Sequence, residues 1–232
     1  MNVDIEELED KIGYSFKDKN LLLTAITHSS YAYEHQKEGA SFYERIEFLG
    51  DAVLELVSSD FLFFEYPDLP EGKLTRLRAS LVCEPTLALC AKDFSLNDYI
   101  RLGNGEEKNG GRNRDSIISD VLESVIGAIY LDSGIDEARK FILKFILNDI
   151  EHKQLFTDSK TLLQEICQEL FGDVPEYELI SEDGPDHDKT FEYKASINGE
   201  VLSRGKGKSK KAAEQIAAYY ALIEVKKKYN WG

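Results

Sequence analysis

Glu44-Arg45-Ile46-Glu47-Phe48-Leu49-Gly50-Asp51-Ala52-Val53-Leu54 places two carboxylates four residues apart, at Glu47 and Asp51, in a largely apolar run. About seventy residues later, Ile117-Ile118-Ser119-Asp120-Val121-Leu122-Glu123-Ser124-Val125-Ile126 places two more, three apart, at Asp120 and Glu123. Residues three or four apart share one face of a helix, so each run predicts a helix that aims two acids at one point. An ionised carboxylate among core residues costs several kcal/mol unless a cation meets it. Arg45 and Arg114, at the margins, are the only basic residues near either run. Together the four acids would form an all-oxygen site suited to a hard divalent ion such as Mg²⁺.

Outward from these runs the helical pattern continues to about residue 150. Ile5, Leu8 and Ile12 recur at helical spacing and stop at Gly13, a residue type that commonly follows a helix end. Further helices are predicted over 18–28, 41–66 (closed by Pro67), from Pro70, from near Pro85, over 114–132 and over 136–149, with 102–112 as a Gly-rich loop. The signature then changes. A helix over 161–170 precedes strands over 177–181, 191–197 and 201–206, and Asn198-Gly199 is a strong hairpin-turn signal. Ala213, Ile216, Ala217, Tyr220 and Ala221 return to helical spacing, giving an α-β-β-β-α unit.

Composition narrows the partners. The formal net charge is −15, which at first argues against a polyanion. Yet Arg204-Gly205-Lys206-Gly207-Lys208-Ser209-Lys210-Lys211 holds five cations and no anion. Screening limits the reach of a charge to about 8 Å at physiological salt, so this local run outweighs the total. No apolar stretch is long enough to span a membrane, and the amino terminus lacks a basic leader, so a cytoplasmic protein is expected. Cys83, Cys90 and Cys167 show no Cys-x-x-Cys or zinc-ligand spacing and read as reduced core residues.

Carboxylate-held Mg²⁺ has one dominant use: it activates water and neutralises charge developing on a phosphoryl group. On this reading Glu47, Asp120 and Glu123 hold the metal, and Asp51 ligates through water or positions the nucleophile. Glu44, one turn before Glu47, and Glu71, in Pro70-Glu71-Gly72, are candidates for a secondary site. A lone acid on a helix is usually just solvated, and it is the pairing at helical spacing that shifts the balance. Glu55 shares the Glu47 and Asp51 face and is left as structural, although periodicity alone does not exclude it. Phe48 reads as core.

The Glu44–Leu54 run closely resembles the signature of the ribonuclease III family. Gly105-Glu106-Glu107-Lys108-Asn109-Gly110-Gly111-Arg112 and Asp120-Val121-Leu122-Glu123, running on to Gly127-Ala128-Ile129-Tyr130-Leu131-Asp132, resemble its other hallmarks. Residues 160–165, 184–187 and 205–214 resemble a double-stranded RNA-binding domain. The resemblance implies a multi-domain chain: an all-α catalytic and dimerisation domain over 1–152, a linker at 153–158, and an α+β (α-β-β-β-α) RNA-binding domain over 159–232. It implies a homodimer that uses Mg²⁺, with Mn²⁺ able to substitute, and cuts duplex RNA to 5′-phosphate and 3′-hydroxyl ends with two-nucleotide 3′ overhangs, in processing of ribosomal and other structured precursors.

The resemblance also assigns residues. Glu47, Asp51, Asp120 and Glu123 are its catalytic carboxylates, and Phe48 becomes a dimer-interface residue. Thr161, Gln164, Glu165, Pro185, His187, Lys208, Ser209, Lys210 and Lys211 are its RNA-binding positions, suited to the minor-groove hydroxyls and phosphates of an A-form duplex. Tyr43, where a small polar residue is usual, and Ser119, where alanine is common, depart from the pattern. Two rivals stay open: an RNA-processing scaffold that keeps the fold without cleaving, and a metal phosphohydrolase acting on small nucleotides.

Overall fold

The first unit is helical from Ile5 onward in the computed structural model, which describes residues 3–184, 189–207 and 209–229. Its helices are α1 (Ile5–Ile12), α2 (Lys19–Ala25), α3 (Ser29–Glu34), α4 (Glu44–Glu65), α5 (Glu71–Leu81), α6 (Glu84–Lys92), α7 (Asn104–Lys108), α8 (Asp115–Ser133) and α9 (Ile135–Phe145). The chain divides between Ile150 and Glu151 into two units, each with its own hydrophobic core. The second unit contains α10 (Ile150–Phe171), β1 (Glu176–Asp183), β2 (Thr190–Ile197), β3 (Glu200–Gly207) and α11 (Lys210–Tyr229). None of the described helices is long and apolar enough to cross a membrane.

In the first unit α8 is the central element. Ile118, Val121, Leu122, Val125, Ile126 and Ile129 are fully buried along it. Its closest partner is α4, and the two backbones touch where each has a glycine. A Cβ built on Gly50 would lie 1.8 Å from the Glu123 carbonyl oxygen, and one on Gly127 would lie 2.3 Å from the Ile46 carbonyl oxygen. Any side chain at either position would force the helices apart. The glycines therefore fix the crossing, one turn from each acid pair.

The second unit is a three-stranded antiparallel sheet in the order β1-β2-β3. Asn198 and Gly199, at φ 50° and 79°, make the tight β2–β3 turn that their side chains favour. Tyr193, Ala195 and Ile197 on β2 pack with Ala213, Ala217, Ala221 and Leu222 on α11 and with Leu163, Ile166 and Cys167 on α10. The sheet again meets its helix through glycine, since a Cβ on Gly205 would lie 2.3 Å from the Ala217 nitrogen.

Three sequence expectations change. The residues read as a linker, 153–158, are helical and belong to α10. The Phe156 ring lies 5.7 Å from that of Tyr219, its carbonyl accepts from the Gln215 amide, and Ser159 is fully buried. Lys153 within this polar run is buried as well. The Gly-rich segment 102–112 holds α7, stabilised by the double contact of the Arg112 guanidinium with Glu107. A short helix over Ser29–Glu34, not predicted, is capped by His28, whose Nδ1 accepts from Ser30 N at 3.1 Å.

Candidate active site

Crossing at Gly50 and Gly127 brings the two acid-bearing faces together. One carboxylate oxygen from each of Glu47, Asp120 and Glu123 lies within 4.8 Å of the others. All three side chains are half-buried. Burial pushes the Glu47 carboxyl up to about 7, and Asp120, Glu44 and Asp51 add to the rise. Burial likewise pushes Glu123 up to about 8, followed by repulsion from Asp51, Asp120 and Glu47. Burial raises Asp120 too, against the opposing hydrogen bond of the Tyr43 hydroxyl. No lysine or arginine is among the main influences on Glu47 or Glu123. Three hard oxygen donors held together against their own repulsion fit a divalent cation.

The expected residues are not all alike. Asp51 is exposed rather than buried among core residues, and it stands outside the converging trio. It is still the strongest charged influence on Glu123, so it edges the same site. The reason is its angle on α4: Gly50, Val53, Leu54 and Val57 form the buried face, and the Asp51 side chain is exposed beside it. Glu44 is exposed and acts on Glu47 from one turn away. Glu71 is exposed at the start of α5 and accepts from Thr75 Oγ1 at 2.9 Å; it too is outside the trio.

Glu55 continues the acidic face of α4 but meets a cation. Arg78 on α5 reaches it at 2.8 Å and also donates to Ser59 Oγ at 2.6 Å. Spacing could not separate Glu55 from Glu47, and an arginine arriving from the next helix does. Phe48 is 79% exposed, so its reading as a core residue is overturned. Leu56 and Phe63 lie on the same side of α4 at 60% and 64% exposure, which makes an apolar stripe beside the acids.

Two hydroxyls that sequence reasoning gave no role adjoin Asp120. Tyr43 Oη donates to Asp120 Oδ2 at 3.5 Å, and Ser119, the residue before Asp120, donates its hydroxyl to Ser116 O at 2.9 Å. These are the two positions at which the chain departs from the pattern it resembles.

In the second unit Thr161, Gln164 and Glu165 line an open groove on the exposed face of α10 together with Gln168 and Glu169. Ser209 caps α11, accepting from Ala212 N at 3.1 Å, and Lys210 and Lys211 stand exposed on its first turn. Cations at a helix N-terminus oppose the helix dipole, so this placement suits an anionic ligand rather than the helix itself. Pro185, His187 and Lys208 lie outside the described residues.

Residues 18–150 match the family model described as Ribonuclease-III-like, and residues 159–225 match that of the double-stranded RNA binding motif. Ribonuclease 3 of Natranaerobius thermophilus is 49% identical over 226 residues, 97% of each chain. The chain belongs to the ribonuclease III family. Ribonuclease 3 of Listeria monocytogenes is 48% identical over 222 residues, 95% of this chain and 97% of that one. The nuclease domain of ribonuclease III from Campylobacter jejuni superimposes with a TM-score of 0.58 at 45% identity, over 62% of this chain and 96% of that one. Membership in the ribonuclease III family makes the chain an endoribonuclease, with a helical nuclease unit followed by an α+β unit.

Proposed function

We propose that the chain is a Mg²⁺-dependent, homodimeric endonuclease that hydrolyses double-stranded RNA. The observation that carries the reading is the convergence of Glu47, Asp120 and Glu123 within 4.8 Å, with no lysine or arginine of the described residues among the main influences on Glu47 or Glu123. These three residues hold the ion. Mg²⁺, when bound, makes a water nucleophilic and offsets charge building on the phosphate. Asp51, exposed beside Glu123, orients the water for attack on phosphorus. The bond to the 3′ oxygen breaks, leaving a 5′-phosphate and a 3′-hydroxyl.

The substrate follows from the second unit. Its match to the double-stranded RNA binding motif and the exposed lysines at the α11 N-terminus supply shape recognition and phosphate contacts. The groove residues Thr161, Gln164 and Glu165 lie along the minor groove, where the 2′-hydroxyls are displayed. The apolar stripe through Phe48, Leu56 and Phe63 is the dimer surface, since exposed patches of this kind mark association sites. Dimerisation places two acid sites on one duplex and yields staggered cuts with two-nucleotide 3′ overhangs. Three free cysteines fit a reducing cytoplasm, where ribosomal and other structured precursors are the natural substrates.

Incubation of the full chain with a long perfect RNA duplex, with and without Mg²⁺, tests this directly. Metal-dependent fragments with 5′-phosphates and 3′ overhangs are expected. Tight duplex binding without cleavage would instead support an RNA-binding scaffold.

A further inference from the structure

We infer that Tyr43 is a positioning residue for Asp120, and that its hydroxyl fixes the orientation in which this carboxylate faces Glu47 and Glu123. The inference rests on the reading of the three acids as a metal site, and it concerns what holds that site in shape.

Tyr43 is buried, at 4% exposure, on the chain segment that leads into α4. Its backbone organises the start of that helix. Tyr43 N donates to Thr27 O at 3.0 Å, and Tyr43 O accepts from Ile46 N at 2.8 Å and Glu47 N at 2.9 Å. Glu47 is therefore set by the Tyr43 main chain. The side chain of the same residue reaches the other helix, where its hydroxyl donates to Asp120 Oδ2 at 3.5 Å. One residue thus joins the two acid pairs that the glycine crossing brings close.

Burying a hydroxyl without a partner costs about 1–3 kcal/mol, and phenylalanine would fill the same space without that liability. Asp120 is the hydroxyl's one hydrogen-bond partner among the described residues. Ring packing alone, against His28 at 5.7 Å, would be served as well by phenylalanine. What the phenol adds is a directed contact on one oxygen of a half-buried acid. Ser119, also 4% exposed, precedes Asp120 in the chain. Its hydroxyl donates to Ser116 O at 2.9 Å, which leaves Tyr43 as the hydroxyl directed at Asp120. Partners of this kind orient ligands, restrict their rotamers and leave the remaining oxygen free for an ion.

The test uses the full-length wild type, Tyr43→Phe, Ser119→Ala and the double variant. Manganese binding is measured by the loss of the free-ion Mn²⁺ paramagnetic resonance signal, alongside metal-free melting temperature and metal-free binding of an RNA duplex. Tyr43→Phe is expected to weaken Mn²⁺ on the order of tenfold, Ser119→Ala to leave the affinity near wild type, and the double variant to match Tyr43→Phe. Duplex binding and melting temperature should stay at wild-type values, which a role confined to folding would not allow. Wild-type protein that binds Mn²⁺ alongside a Tyr43→Phe variant of equal affinity would overturn the inference while leaving the metal site intact. Variants whose Mn²⁺ affinity falls only together with a large drop in melting temperature would overturn it as well. Wild-type protein that binds no Mn²⁺ would instead overturn the metal-site reading, and the inference with it.

Discussion

The two units leave charge of opposite sign without a partner. In the second unit Glu178, Glu182, Glu192, Glu200 and Glu214 each have a lysine within 4 Å. Pairs at or near the surface contribute little, typically about 0–1 kcal/mol. In the first unit Glu47, Asp120 and Glu123 are pressed against one another, and burial raises all three. The second unit has its own uncompensated charge, of the other sign: Lys210 and Lys211 on the first turn of α11. Among the described residues each unit thus carries a cluster that its own fold does not neutralise. The clusters mark where a ligand completes the charge balance: a cation in the first unit and a polyanion in the second.

The comparison breaks most severely if the acids are moved apart. Gly50→Ala puts a methyl group 1.8 Å from the Glu123 carbonyl, a backbone atom that cannot swing away. Destabilisation of about 3 kcal/mol or more is expected, together with loss of metal affinity. Thermal melts with and without Mn²⁺ check both. A variant as stable as wild type would mean that the helices do not meet at this glycine.

The next effect is on pH. Glu123 and Glu47, raised to about 8 and about 7, must lose protons before they bind metal. Mn²⁺ affinity should therefore fall roughly tenfold or more between pH 8 and pH 6, and binding should release protons, as titration calorimetry in buffers of differing ionisation enthalpy would report. The sign for stability is the reverse. Folded values lie above the ordinary 4.5, so these groups favour the metal-free fold below that value. The contribution is lost as pH rises through about 7 and 8. Glu123→Gln should flatten that decline, and an unchanged slope would place the raised group elsewhere.

The second unit gives a smaller, separable effect. Lys210→Ala with Lys211→Ala should weaken metal-free duplex binding at all sequences and reduce its salt slope by about one for each phosphate left without a cation. The same change should stabilise α11 by about 0.3–1 kcal/mol per lysine, because cations there oppose the helix dipole. Weaker binding with an unaltered salt slope would move the phosphate-binding cations elsewhere. The smallest effect belongs to Glu55→Gln. Arg78 already compensates this acid, so cleavage should stay within about twofold of wild type. A large drop would bring Glu55 into the metal site.

Much of this was legible in the sequence where the physics is local. Three- and four-residue spacing put the acids on helix faces, and Asn198-Gly199 marked the hairpin. What escaped depends on partners distant in sequence. Glu55 and Glu47 repeat along one helix with equal periodicity, and only Arg78, on a different helix, separates them. Phe48 looks like core because it is large and apolar, yet the buried face of α4 is on the other side of the helix. Asp51 sits in an apolar run but at an angle that carries it to solvent. Residues 153–158 are polar enough to suggest a link, and their order comes from Tyr219 and Gln215 on α11, far along the chain. The link between Tyr43 and Asp120 spans two helices and has no spacing signature at all.

The central claim, that the acid trio performs metal-dependent cleavage while the second unit holds the duplex, is tested most directly by Glu123→Gln. Cleavage of a long RNA duplex in Mg²⁺ and equilibrium binding of the same duplex without metal are measured side by side. Removal of one ligand charge should reduce cleavage on the order of a thousandfold or more, with the duplex dissociation constant within about twofold of wild type. Cleavage near the wild-type rate, or an equal loss of cleavage and binding, would contradict the account.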